Sequence, residues 1–353
     1  MKLKIIIPIF LLLFSVIISS CTSLDYKSET NDDTKSSIIS ESLVTPPLES
    51  EIKIDSKGTK YIVDPNKIKG GGPGKGAIGK TGISATGIPA LAEKNIKFVS
   101  VAEADEWIQD NELVLALIYK NVKRVYPLQI LVWHEIANDV VAGDNLIITY
   151  CPLCGSGIAY KPVIEVNGEK KVSRFGTSGK LYQSNLIMYD EETNTYWQQI
   201  DGKAIYGELT GQELEEVSID TVVWKDWKTV HPDSEVLSQD TGINRNYGKD
   251  PYGSYYEDSF LIFPVENENN IIHPKTIIFG IEVDGQYKAY KEEDLVVLGT
   301  IEDVVNNVSI KLERDNVGIV SVTNIESGEE IIKERDMWFA WYAFHPETSL
   351  YEP

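Results

Sequence analysis

The chain has 353 residues, and 33 Lys and Arg against 54 Asp and Glu leave a formal net charge of −21. Such an excess of acid disfavours nucleic acid as a partner and docking on anionic lipid, because both need concentrated positive charge. Hydrophobic residues at 42% are enough for a sizeable core, which excludes global disorder, and only 3 Cys exclude a disulfide scaffold.

The chain opens with two Lys, then the apolar run Ile5–Ile18, then Ser19-Ser20-Cys21. The run is shorter than the about 20 residues that span a bilayer, and the pattern reads as a signal peptide. Ile18-Ser19-Ser20-Cys21 resembles the lipobox of bacterial lipoproteins, where the Cys thiol is lipidated and the chain is cut just before it. Residues 1–20 are therefore expected to be a lipoprotein signal peptide, with Cys21 as the lipidation (palmitate) site. The mature chain is expected on the exported face of the cell membrane, held by lipid. Residues 21–69, rich in Ser, Thr, Asp, Glu and Lys, read as a flexible polar tether. Residues 70–87 form a Gly-rich loop, and Gly74–Thr81 within it fits G-x-x-x-x-G-K-[ST]. That motif needs a following helix N-terminus to cradle phosphate, and Gly82–Pro89 offers none, so no nucleotide is expected.

Residues 88–353 read as a β-rich α+β globular domain. Val101–Gln109 has the look of a short helix. Leu113–Ile118 and Arg124–Tyr126 read as strands around a turn at Lys120-Asn121. Leu128–Val140 shows helical spacing of apolar residues, and Leu146–Tyr150 is a buried-type strand running into Cys151-Pro152-Leu153-Cys154-Gly155. Ile158–Val163 follows as a strand. Asn167-Gly168, Asp201-Gly202 and Asp284-Gly285 are hairpin signals.

Val114–Ile148 lies over Ile278–Leu312 without a gap. Tyr126 meets Tyr290, Leu131 meets Leu295, and Asp139-Val140-Val141 meets Asp303-Val304-Val305. The echo predicts an internal duplication of a hairpin–helix–strand unit, giving two pseudo-repeated lobes. Leu298 stands opposite His134 and Asp315 opposite Cys151, which would confine any chemistry to the first copy.

Further motifs stand in order along the chain: Tyr126-Pro127, His134-Glu135-Ile136-Ala137-Asn138-Asp139, and Thr149-Tyr150-Cys151-Pro152-Leu153-Cys154-Gly155-Ser156. Phe175-Gly176-Thr177-Ser178-Gly179, Asn185–Asp190, Tyr196-Trp197-Gln198-Gln199, Trp338–Trp341 and Ala343-Phe344-His345-Pro346 continue them. Together they make the chain, from about Gly87 to Tyr351, similar to the uncharacterised prokaryotic family called domain of unknown function 3179. The resemblance implies that some relatives carry selenocysteine at a Cys position of this motif. That would favour redox chemistry, since a structural zinc or disulfide gains nothing from selenium. Cys at both places here argues against strong peroxidase-like reactivity.

The Cys pair itself leaves three readings open. The first is a dithiol–disulfide redox site at Cys151 and Cys154, with His134 as base or thiolate-stabilising imidazolium, and no cofactor required. The second is a soft metal site for copper or zinc, using Cys151, Cys154 and His134 with Met188 or His345. The third is a structural disulfide in an interaction protein whose partner is unknown. Arg174 with Ser178 in the Gly176–Gly179 loop has the makings of an anion-binding site, against the alternative of a tight turn with an ion pair. His231 and His273, each before Pro, read as turn residues, Asp190 as a turn cap, and Trp338–Trp341 as core.

Overall fold

The structure, a computed structural model, describes residues 51–71 and 87–353. The signal peptide, Cys21, the tether up to residue 50 and the Gly74–Thr81 motif lie outside the described residues. Among the described residues no helix is long and apolar enough to cross a membrane.

The last part of the expected tether is built into a sheet instead. Three two-residue strands, β1 (Lys53–Ile54), β2 (Lys60–Tyr61) and β3 (Lys69–Gly70), line its edges. Tyr61 pairs with Tyr206 and Lys69 with Leu181. Val63 and Ile68 pack on the buried cluster of Ile187, Tyr189, Tyr196 and Ile205. Short apolar anchors in polar sequence thus hold this stretch down, and composition alone hides them.

β4 (Phe98–Ser100) leads into the one-turn helix α1 (Val101–Ala104), which Ser100 caps by accepting from the Glu103 amide at 3.2 Å. β5 (Leu113–Tyr119) and β6 (Val122–Pro127) form the expected hairpin, with Lys120 and Asn121 at φ 47° and 68°. The helix expected over Leu128–Val140 stops at one turn, α2 (Leu128–Leu131). Glu135 takes φ 58°, through which no helix continues, and Ile136–Val141 becomes strand β7. Its partner β8 (Asp144–Cys151) returns around Ala142-Gly143, a primed-type turn without the usual Asn or Asp signal.

β9 (Ser156–Lys161) extends that sheet. β10 (Val163–Val166) and β11 (Glu169–Val172) make a separate hairpin at Asn167-Gly168. β12 (Phe175–Tyr182), β13 (Asn185–Asp190), β14 (Tyr196–Gln198) and β15 (Ala204–Tyr206) build a seven-stranded sheet in the order β1-β2-β15-β14-β13-β12-β3. β16 (Glu215–Val217) closes a second sheet, β16-β9-β8-β7. β17 (Asp220–Val223), α3 (Trp224–Val230) and β18 (Glu235–Leu237) complete a third, β17-β5-β6-β18-β4.

The C-terminal part comprises β19 (Ile277–Val283), β20 (Gln286–Lys291), α4 (Glu292–Leu298), β21 (Thr300–Val305), β22 (Val308–Arg314), β23 (Val320–Asn324), β24 (Lys333–Met337), α5 (Trp338–Phe344) and β25 (Ser349–Leu350). It gives the sheets β24-β19-β20-β25 and β21-β22-β23. The protein is β-rich, as expected. The aromatic run Trp338–Phe344 is a helix whose Trp338, Phe339, Ala340 and Trp341 are buried, so the expected core residues are core on a helix.

The element order β5-β6-α2-β7-β8 recurs as β19-β20-α4-β21-β22, and each set is flanked alike. β17 runs antiparallel to β5 and β18 parallel to β6, as β24 does to β19 and β25 to β20. Tyr126 donates to Asp139 at 2.6 Å, and Tyr290 to Asp303 at 2.9 Å. The His231 ring lies tilted against Trp227 at 4.3 Å and the His345 ring tilted against Trp341 at 4.2 Å. Between β8 and β17 lie strands β9 to β16, whereas between β22 and β24 lies β23 alone.

Candidate functional site

The two cysteines sit where β8 ends and β9 begins, with Cys151 paired to Ser156. Pro152 pre-sets the first turn residue, and the Cys154 amide donates to the Cys151 carbonyl at 3.1 Å. Gly155, at φ 67°, then supplies a left-handed residue that lets the chain re-enter the sheet. The result brings the two Sγ atoms to 3.1 Å as free thiols, both buried.

A second hairpin turn faces the first. Tyr182 pairs with Asn185 around Gln183-Ser184, both at positive φ (49° and 63°) and both buried. Such a turn normally asks for Asn-Gly, so its backbone is strained next to the sulfurs. The turn presents the Ser184 carbonyl to Cys154 Sγ at 3.6 Å, and Asn185 Nδ2 donates to the same sulfur at 3.4 Å. Asn185 is fixed in turn by the Gln199 side chain at 2.7 Å and the Gln198 side chain at 2.6 Å. Gln199 Nε2 reaches Thr149 Oγ1 at 3.0 Å and Ser156 Oγ at 3.4 Å. A buried amide network therefore underlies one sulfur. The rest of the surroundings are apolar: Met188, Trp197, Met337 and Phe339 share a buried cluster with both cysteines.

The segment from Ser238 to Thr276 has one 3₁₀ turn, Gly253–Tyr256, and lies over the Cys turn. Tyr255 donates to the Leu153 carbonyl at 2.9 Å. Lys275, itself buried, donates to the carbonyls of Tyr255 and Phe260 and places its ammonium 3.5 Å from the Tyr255 ring centroid. The Glu266 amide donates to Gln183 at 2.7 Å. A segment this long without regular structure is rarely mere connection.

Burial dominates the electrostatics. It pushes the Cys154 thiol well above its usual range, and the contact with Cys151 adds to this. It raises the Tyr252 and Tyr255 hydroxyls too, with Glu135 and then Cys151 adding at Tyr252, and Cys154 and Cys151 at Tyr255. The Glu135 carboxyl is pushed up to about 8 by burial alone, on a residue whose positive φ already marks strain. Asp336 in β24 is fully buried and pushed up to about 6.

Both ring nitrogens of His134 are engaged by groups other than the sulfurs. Nδ1 lies 2.7 Å from the Pro89 carbonyl and Nε2 2.6 Å from the Tyr247 hydroxyl. A carbonyl can only accept, so Nδ1 carries the proton and Nε2 accepts from Tyr247. Burial pushes its pKa down to about 4, so it is neutral at pH 7 and supplies no imidazolium to Cys151. His345, likewise pushed down to about 4 by burial, stacks on Tyr287 with centroids 4.1 Å apart and lies tilted against Trp341 at 4.2 Å. Of the expected metal set only Met188 joins the cysteines, and among the described residues no group of three or more His, Cys, Asp or Glu is arranged to hold a metal ion. Arg174 and Ser178 also separate. Arg174 pairs with Glu191 at 2.5 Å, while Ser178 is buried and bonds the Ile187 carbonyl at the bulge of β12. His231 caps α3 and His273 sits in a turn, as expected.

Glu135, Asn185, Gln199, Tyr255 and Asp336 carry no individual signal in the sequence. The first three stand inside motif segments or beside a candidate, which is the one trace that points to them.

A buried Cys-x-x-Cys turn on a β-rich scaffold, faced by an amide network, defines a family rather than an activity. The chain matches the family described as "Protein of unknown function (DUF3179)" over residues 85–331, and it belongs to that family. No curated protein and no solved structure matches it.

Proposed function

We propose that this is a thiol–disulfide redox protein, anchored by lipid on Cys21 to the exported face of a membrane, in which Cys151 and Cys154 cycle between dithiol and disulfide. One observation carries the reading: the two sulfurs stand 3.1 Å apart in a turn, with the Asn185 amide donating to one of them. A short approach of the sulfurs closes the bond, and an amide donor supports charge on sulfur. The copper or zinc reading loses support because the His134 and His345 rings are engaged elsewhere. The burial of both thiols favours a second reading, a structural disulfide in an interaction protein. We also read the recurrent element order as an internal duplication, with Cys151 at the end of the first copy and the amide network around the pair in the strands inserted after it.

Equilibration of the folded protein in dithiothreitol redox buffers, followed by alkylation and mass analysis, separates the readings. The redox reading expects one reversible two-electron couple, with both forms folded. A pair that exchanges only after denaturant is added would mark a staple. Protection of both thiols by zinc or copper(I), relieved by chelator, would restore the metal reading.

The anchor has its own test. Cys21→Ala should move the protein from the membrane fraction to the soluble exported fraction, since lipid is the proposed attachment. Unchanged fractionation would remove the lipoprotein reading.

A further inference from the structure

Every residue of the Cys turn, from Cys151 to Ser156, is buried, so the sulfurs are reached only past what lies over them. Over them lies the middle of the irregular segment between β18 and β19. Both ends of that segment are fastened to the body of the protein. On one side the Tyr247 hydroxyl lies 2.6 Å from His134 Nε2, and Asn95 donates to the Thr241 carbonyl at 2.9 Å. On the other, the Glu266 amide donates to Gln183 at 2.7 Å, Asn267 to the Ala343 carbonyl at 3.0 Å, and the Trp338 indole to the Asn269 carbonyl at 3.0 Å.

Between these ends the chain is held differently. Among the described residues, Asp250–Val265 pairs with no strand. Tyr255 and Val265 belong to the buried cluster of the two cysteines, and Tyr252, Tyr256, Leu261 and Phe263 pack against it. Two polar ties add to this apolar contact. The Tyr255 hydroxyl grips the carbonyl of Leu153, a residue between the two cysteines, at 2.9 Å. The Lys275 ammonium, from beyond the stretch, donates to the Tyr255 and Phe260 carbonyls and lies 3.5 Å from Asp258. A buried ammonium is costly unless its donors are met, and here the stretch itself supplies the acceptors. Lifting the stretch returns that ammonium to water, which offsets part of the loss of those bonds. Gly248, at φ 81°, stands where the fastened end gives way to the stretch.

We infer that Asp250–Val265 is a flap that controls access to the Cys pair, latched by the Tyr255 hydroxyl on Leu153 and pinned by Lys275. It lifts between its two fastened ends, leaving the sheets beneath it intact. The inference deepens the redox reading, on which the pair has something to exchange with, by naming what regulates that site. Its test reads the reduced thiols alone.

The probe is N-ethylmaleimide, added to the reduced, folded protein, with labelling of each Cys followed by mass analysis. Tyr255→Phe keeps the ring and deletes only the latch. It should speed labelling of both thiols about fivefold, the scale of one hydrogen bond. Lys275→Ala should speed it further. Tyr290→Phe removes another buried hydroxyl bond, to Asp303 at 2.9 Å, and should label at the wild-type rate. Hydrogen exchange should quicken over Asp250–Val265 in Tyr255→Phe and stay unchanged in β8 and β9. Circular dichroism checks the fold of each variant. A wild-type labelling rate in Tyr255→Phe would overturn the inference, as would equal acceleration in Tyr290→Phe or labelling that always requires denaturant. The redox reading is judged apart, by the dithiothreitol couple of the wild type. A reversible couple with no effect of Tyr255→Phe removes the flap alone, and faster labelling without a reversible couple removes the redox reading alone.

Discussion

Asp190→Ala should destabilise the protein by about 3–5 kcal/mol, enough to threaten the fold of an ordinary domain. Asp190 is fully buried at the end of β13. Its carboxylate accepts from the Thr193 amide at 2.6 Å, the Thr195 amide at 3.0 Å and the Trp197 indole at 3.0 Å, and from the Thr193 hydroxyl. Truncation leaves several buried donors unmet at once, each costing about 1–3 kcal/mol. Asp190→Asn keeps one oxygen and should cost clearly less. Because β13 and β14 carry Asn185 and Gln198, the Ala variant should also loosen the shell around Cys154. Urea unfolding of the three proteins measures the first effect. A midpoint within error of wild type for Asp190→Ala would show that the turn holds without its acid.

Raising the pH from about 6.5 to 8 should weaken the fold by on the order of 2 kcal/mol. Glu216 and Glu135 are pushed up to about 8 by burial, and Glu334 is raised by burial and by Asp336. Asp201 and Asp336 are pushed up to about 6. For such groups the stability present below the unfolded value of about 4 is lost as pH rises through the folded value. His134 and His345, pushed down to about 4, act oppositely: their contribution is present above about 6.5 and lost as pH falls through the folded value. The two sets oppose one another between about 4 and 6.5, and above that window the carboxyls act alone. A series of thermal unfolding midpoints across the window checks this. A flat profile, or an undiminished decline in Glu216→Gln/Glu334→Gln, would remove the acids as its cause.

What could be read along the chain was local. Lys120-Asn121, Asn167-Gly168 and Asp284-Gly285 mark turns because their residues tolerate positive φ, and the structure turns there. Ala142-Gly143 and Gln183-Ser184 turn equally sharply with poorer residues, held by the strands on either side. The helical spacing in Leu128–Val140 misled because Glu135 breaks it by a backbone conformation that composition does not announce. Cys151 and Cys154 are close because four residues suffice to bring them together. Asn185, Gln199 and Asp336 arrive from other strands and are invisible to spacing. His134 was identifiable as special, but the direction of its ring depends on Pro89 and Tyr247. The recurrence has a plainer written trace than the echo of apolar residues. Trp-x-x-Trp-x-x-x-His-Pro stands at Trp224–Pro232 and again at Trp338–Pro346.

The segment over the Cys turn turns accessibility into a clock. On the redox reading proposed above, with Tyr255 fastened to Leu153 and Lys275 fastening Tyr255, a visiting disulfide would meet the sulfurs only in moments when that covering lifts. When the covering closes faster than the encounter, doubling the visitor doubles the turnover. When it closes more slowly, the visitor's abundance ceases to matter, and the protein itself sets the pace. Electrons held at Cys151 and Cys154 would then be released on a schedule written in Tyr255 and Lys275, and a partner able to pry that covering open would be served ahead of any more abundant thiol or disulfide in the surroundings.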